Sequence, residues 1–320
     1  MAMKSALDPD LDASHTIRML PRWVTAVRAQ EPDAVAFSSG AALAMLDVVL
    51  RNPEATLPVS LLRDRQALET AIACLTLEGR TESASDIRDA VCLARAGDAL
   101  GPAGEMFVVW RKCARVNLGV SAWRAHMRKL LPEQVAERLS AFGASGGSPV
   151  AQAAQMLVEV LQNFPRQEAA ALMLADVTLA RAVGWDRVMP LLGTHLKRAD
   201  VRAISNGAPD ASLRVHHAMI AACDAALRRA ADLSRRAARL ETIAPKLRAK
   251  GAGEALALFL SYDAVSPSGM LSQGTLSGPM IKGTTFAMTD RAARRLCDRL
   301  VDLGVVRELT GRPTFRLYGV

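Results

Sequence analysis

Apolar residues recur at helical spacing along nearly the whole chain, and no convincing strand pattern interrupts them before Gly304. The apolar half of the 320 residues is mostly Ala, Leu and Val, and aromatics make up only 4%. Small residues of this kind suit packed helices whose axes approach closely. A chain of this length can bury a sizeable core. We therefore expect a mainly α fold, a multi-helix body with one small irregular module.

The spacing predicts helices over Asp33–Arg51, Leu57–Leu77, Glu82–Ala96, Glu105–Arg115 and Ser121–Leu131, with Pro132 in the first turn of another. Further helices are expected over Val150–Leu161 and Gln167–Val183, and one long helix over Pro209–Thr242. Gly101–Gly104 reads as a break, residues 184–209 as irregular, and residues 1–20 as a lead-in. The run GASGGSP at Gly143–Pro149 is a linker candidate that would divide the body, taken as residues 20–245. Ser266–Gly283, rich in Gly, Ser, Pro and Thr, is expected to be a loop or a loop with one short helix.

Residues 246–320 read differently. Thr289 is placed to cap a basic helix that Gly304 stops. Two β-prone runs follow, Val305–Leu309 and Thr314–Tyr318, joined by a turn at Thr310–Pro313. Ala255–Leu260 would be the first helix of this module and Ser266–Leu271 a short second one. Helix, strand, turn, strand is the outline of a winged helix-turn-helix reader of nucleic acid. Ala292, Ala293, Leu296, Leu300 and Leu303 form an apolar stripe expected to pack on Leu256, Phe259 and Leu260. Arg291, Arg295 and Arg299 share another face with Arg294 beside them, and Arg312 and Arg316 would add a basic wing. An arginine fork binds guanine or phosphate bidentately. The opposing reading pairs Arg294 and Arg295 with Asp298 and Asp302, giving an ordinary solvated face.

A net charge of +8 favours a polyanionic partner only weakly. Its distribution says more. Arg228, Arg229, Arg235, Arg236, Arg239, Lys246, Arg248 and Lys250 face only Asp232 and Glu241 over the same span. No apolar run reaches about 18 uncharged residues, the longest, Gly40–Leu50, containing Asp47, so no membrane association is expected. The N-terminus lacks a signal-peptide core, and five cysteines scattered singly suit buried thiols in a reducing cytoplasm. No zinc spacing, phosphate-binding glycine loop or nucleophile–base arrangement stands out, so neither a cofactor nor an enzyme is expected. His216 and His217 are adjacent and point about 100° apart, which makes a shared metal from one helix unworkable. The four tryptophans are expected to be core anchors.

Several stretches together, LPRW at Leu20–Trp23, GPAG at Gly101–Gly104, APKLRAKGAGEAL at Ala244–Leu256, DAVSP at Asp263–Pro267 and the block Thr289–Gly319, resemble the bacterial domain-of-unknown-function family 1403. The resemblance spans essentially the whole chain. It implies no activity and carries over no catalytic or binding residue. Against that family's pattern, Gly269–Thr285 looks longer than expected before the terminal helix. The function expected from the residues themselves is DNA binding, as in a transcriptional regulator, with duplex DNA as partner and a homodimer as one arrangement of the body. The alternative is a helical interaction or scaffolding protein.

Overall fold

The computed structural model describes residues 17–26, 31–53, 56–95, 97–141, 146–247, 250–275 and 278–320. The fold is mainly helical. The helices are α1 (Arg22–Thr25), α2 (Pro32–Arg51), α3 (Val59–Leu77), α4 (Ala84–Cys92), α5 (Gly101–Arg115), α6 (Trp123–Arg128), α7 (Glu133–Ala136), α8 (Pro149–Asn163), α9 (Glu168–Val183), α10 (Arg198–Ser205), α11 (Ala211–Ile243), α12 (Ala252–Phe259) and α13 (Asp290–Asp302).

Helix α9 is the centre of the body. Every residue from Ala170 to Ala180 is buried, as expected of a helix apolar on all sides. Its buried carboxylate, Asp176, accepts the backbone N–H groups of Leu191 and Leu192, which holds the turn Leu192–Thr194 against the core. Burial pushes the Asp176 carboxyl up to about 7 despite these two donors. Helix α9 packs on α8, while α11 lies against α2 and α8, and α5 against α3 and α4.

Several sequence expectations need correction. The GPAG stretch is not a break but the first turn of α5, with Pro102 where a missing N–H is harmless. A Cβ at Gly104 would lie 2.9 Å from that of Leu100 just before the helix and 3.4 Å from that of Ala90 in α4, so glycine keeps this corner open. Residues 184–209 contain α10, which a capping Asp200 starts. Strand is not confined to the stretch after Gly304: β1 (Gln273–Thr275) pairs antiparallel with β2 (Gly278–Met280) inside the expected loop. The lead-in 1–16, most of the GASG segment and Arg248 lie outside the described residues.

By length and composition α2 is apolar enough to cross a membrane, with a mean hydropathy of 1.6. The helix carries Asp33, Asp47 and Arg51, so it contains no uncharged run of about 18 residues. The inner face of α2, including Val35, Leu43 and Leu46, is buried.

Candidate nucleic-acid interface

The C-terminal elements assemble in an order set by backbone pairing. After α12, Val265 bridges Tyr318 in antiparallel fashion, with N···O distances of 2.8 and 3.0 Å. The next residues, Pro267–Leu271, make one wide helical turn. Then come the β1–β2 hairpin, α13, β3 (Arg307–Glu308) and β4 (Tyr318–Gly319). Strands β3 and β4 are antiparallel, with Arg307 opposite Gly319. The strand at Val265 thus lies on one side of β4 and β3 on the other. The expected four-residue turn at Thr310–Pro313 is instead the middle of a longer connection, closed by the Leu309 N–H on the Leu317 carbonyl. Gly319 is required by close approach, because a Cβ would sit 2.7 Å from the Asp263 carbonyl oxygen.

Helix α13 starts where the sequence indicates. The Thr289 hydroxyl accepts the Ala292 N–H at 3.3 Å, and Asp290 opens the first turn. Gly304, at φ 68°, ends it with the Val305 N–H on the Leu300 carbonyl. Thr289→Ala is expected to destabilise the protein by about 1 kcal/mol, the usual value for a lost cap. Denaturant unfolding checks this, and an unchanged midpoint would show the cap to be idle.

The two faces of α13 separate cleanly. Ala293, Leu296, Cys297 and Leu300 are buried, and Leu303 is half-buried. The helix packs chiefly on the turn Pro267–Leu271, with α12 contributing Leu256 and Phe259 to the same buried cluster. On the other face Arg291, Arg294, Arg295 and Arg299 are exposed. Arg294 pairs back to Asp290 at 2.9 Å, not to Asp298. Among the described residues, Arg291, Arg295 and Arg299 form no ion pair. Arg312 and Arg316 stand differently. Arg312 is held by Asp89 of α4, and Arg316 lies 3.8 Å from Glu308 and 4.0 Å from Asp298.

Why Arg312 reaches α4 is explained by a buried cluster of charge at the seam. Asp263, 2% exposed, binds Arg88 at 2.5 Å and Arg65 at 3.2 Å. Its own N–H donates to Asp64, which also pairs with Arg115 at 3.1 Å. Arg65 donates to the Val320 carbonyl as well. Burial raises the Asp64 carboxyl above the usual carboxylate range and lowers the Arg65 guanidinium. The sequence offered no route to this cluster, whose members lie up to 255 residues apart.

The basic block of α11 resolves into paired and unpaired residues. Arg228 pairs with Asp224, Arg229 with Glu69, and Arg235 and Arg236 with Asp232. Arg239 and Lys246 are exposed and, among the described residues, in no ion pair. Arg307 on β3, which the sequence reading passed over, is exposed, and it lies near enough to Arg65, with Arg236, for their charges to disfavour that guanidinium.

Other candidates behave as structural residues. His216 is buried, with Nδ1 2.6 Å from Ser39 Oγ, and that hydroxyl also donates to the Ala36 carbonyl. Cys74, Cys113, Cys223 and Cys297 are buried, and Cys92 is half-buried. Among the described residues no group of His, Cys, Asp and Glu has the geometry to hold a metal. Trp110, Trp123 and Trp185 are core anchors, but Trp23 is 57% exposed and corrects the expectation for all four.

In comparison with known proteins, the family model described as "Protein of unknown function (DUF1403)" matches residues 9–320. No curated protein matches.

Proposed function

The chain belongs to the DUF1403 family, and from its own geometry we propose that it binds duplex DNA through a winged-helix-like module spanning α12 to β4. The observation that carries this reading is the row Arg291, Arg295 and Arg299, exposed and in no ion pair among the described residues, on a helix whose opposite face is buried. A recognition helix needs one face to dock and one to meet phosphates and base edges. Three further points support it. The strand order, with Val265 and β3 flanking β4, is compatible with a wing. The preceding turn Pro267–Leu271 supports α13 as a second helix would. Arg307, Arg239 and Lys246 are further exposed basic side chains of the kind that can meet a phosphate backbone.

Arg312 and Arg294 belong less to this face than the sequence implies, since Asp89 and Asp290 engage them. The body would then act as a rigid platform to which the module is fixed, as in a cytoplasmic regulator. The test is binding of the full chain to mixed-sequence duplex DNA, followed by fluorescence anisotropy. Affinity should fall steeply, by roughly 10-fold or more, between low and physiological salt. A folded protein that binds no duplex at low ionic strength would contradict the proposal, and the arginine row would then serve a protein partner.

A further inference from the structure

Three cations from separate parts of the chain meet where the end of α5 adjoins the segment between α12 and α13. The Arg115 guanidinium carbon lies 4.6 Å from the centre of the Tyr262 ring, and the Lys282 ammonium lies 5.2 Å from the same centre. Arg111 stands one turn before Arg115 on α5, so the two share a face of that helix. Common neighbours place it in the same group. Burial pushes the Cys92 thiol up to about 11, and the charges of Arg111 and Lys282 are both near enough to pull against that rise. Arg111 and Arg115 act in the same way on Asp64, whose carboxyl burial raises. Arg111, Tyr262 and Lys282 are all half-buried.

The neighbouring carboxylates do not balance these charges. Asp64 pairs with Arg115 and also accepts the Asp263 N–H. Asp263 is engaged by Arg65 and Arg88. Among the described residues Arg111 and Lys282 form no ion pair. The face of an aromatic ring attracts a cation, but two cations at one ring repel each other. A half-buried charge with no counter-ion is costly as well. An oxyanion among them would remove both penalties. We propose that Arg111, Arg115 and Lys282, grouped at Tyr262, bind a small phosphate-bearing anion at the seam between the body and the C-terminal elements. Phosphate suits the group because its oxygens can accept from guanidiniums and an ammonium that approach from different sides. The half-burial of Arg111 and Lys282 favours a small anion over a duplex backbone, which would meet fully exposed cations such as those of α13. The ligand would touch α5 of the body and the segment before α13 together, and so fasten one to the other. The inference does not rest on DNA binding.

Calorimetry and thermal unfolding of the full chain with inorganic phosphate test it, at fixed ionic strength with chloride as the control. The wild type should bind phosphate saturably, and its Tm should rise with phosphate but not with chloride. Amide exchange should slow together at the end of α5 and around Tyr262 and Lys282. Arg111→Met and Lys282→Met should leave the helical circular dichroism unchanged and each raise the phosphate Kd at least about 10-fold. Lys282→Arg keeps the charge and should keep the binding. Arg295→Ala, on the exposed face of α13, should bind phosphate as the wild type does, so that this site and the proposed DNA contact fail or stand separately. A wild type without saturable phosphate binding overturns the proposal. So does an equal gain in Tm from chloride, which would mean screening of like charges alone, or unchanged phosphate binding by both methionine variants. If those variants lower the salt slope of duplex binding while the wild type binds no free phosphate, the cluster belongs to a DNA contact and the proposal is also overturned.

Discussion

Asp263→Ala is expected to lower the unfolding free energy by about 3 to 5 kcal/mol, the range for removing one partner of a buried ion pair. The carboxylate is 2% exposed and binds both Arg88 and Arg65. Without it two guanidiniums, 20% and 13% exposed, face each other across the seam with little water to replace the lost acceptor. The loss would extend beyond the pair, because the Asp263 N–H on Asp64 and the Val265–Tyr318 pairing hold the same stretch of chain. The substitution should therefore loosen the C-terminal elements from α3 and α4 before the body unfolds. Urea unfolding measures the size of the effect, and amide exchange shows where protection is lost. A change below about 1 kcal/mol would mean that solvent reaches the arginines and that the cluster does not join the two parts.

Leu300→Ala is expected to cost about 2 to 5 kcal/mol, the range for a fully buried leucine. Leu300 is 0% exposed, beside Leu296 and Cys297 and over the turn Pro267–Leu271. Its carbonyl also accepts the Val305 N–H that ends the helix, so a shift of this residue reaches the chain leading into β3. The variant should lose DNA affinity only in proportion to the folded fraction, since Leu300 points away from the arginine row. A destabilisation below half a kcal/mol, as judged by the unfolding midpoint, would show that this leucine is not part of the core.

Much of the fold was legible because it is built from local periodicity. The leucines of α13, the cap at Thr289 and the length of α11 follow from spacing that a helix imposes. Short elements defeated the same reasoning. GPAG contains two glycines and a proline, yet it starts a helix, because proline suits the first turn and Gly104 serves packing. The β1–β2 hairpin has three residues a side, too few for an alternating pattern to register. The candidate site was legible in half. The exposure of Arg291, Arg295 and Arg299 follows from helical spacing, opposite the leucines. The capture of Arg312 by Asp89 does not, because their separation of 223 residues is closed only by the tertiary fold. Arg307 was missed because a single arginine in a β-prone run has no pattern, and its meaning comes from its neighbours Arg236 and Arg65.

The proposed contact between the α13 arginines and DNA is tested most directly by the salt dependence of single variants. Full-length protein and its Arg295→Ala and Arg312→Ala variants would be titrated against one duplex over a series of salt concentrations. Arg295→Ala should weaken binding by roughly 1 to 3 kcal/mol if the side chain bonds a base, or lower the salt slope by about one if it bonds a phosphate. Arg312→Ala, whose guanidinium is bound to Asp89, should leave the slope unchanged and act only on stability. If Arg295→Ala binds as the wild type does, or if no variant shows salt-sensitive binding while all remain folded, the exposed face of α13 is not a DNA-binding surface.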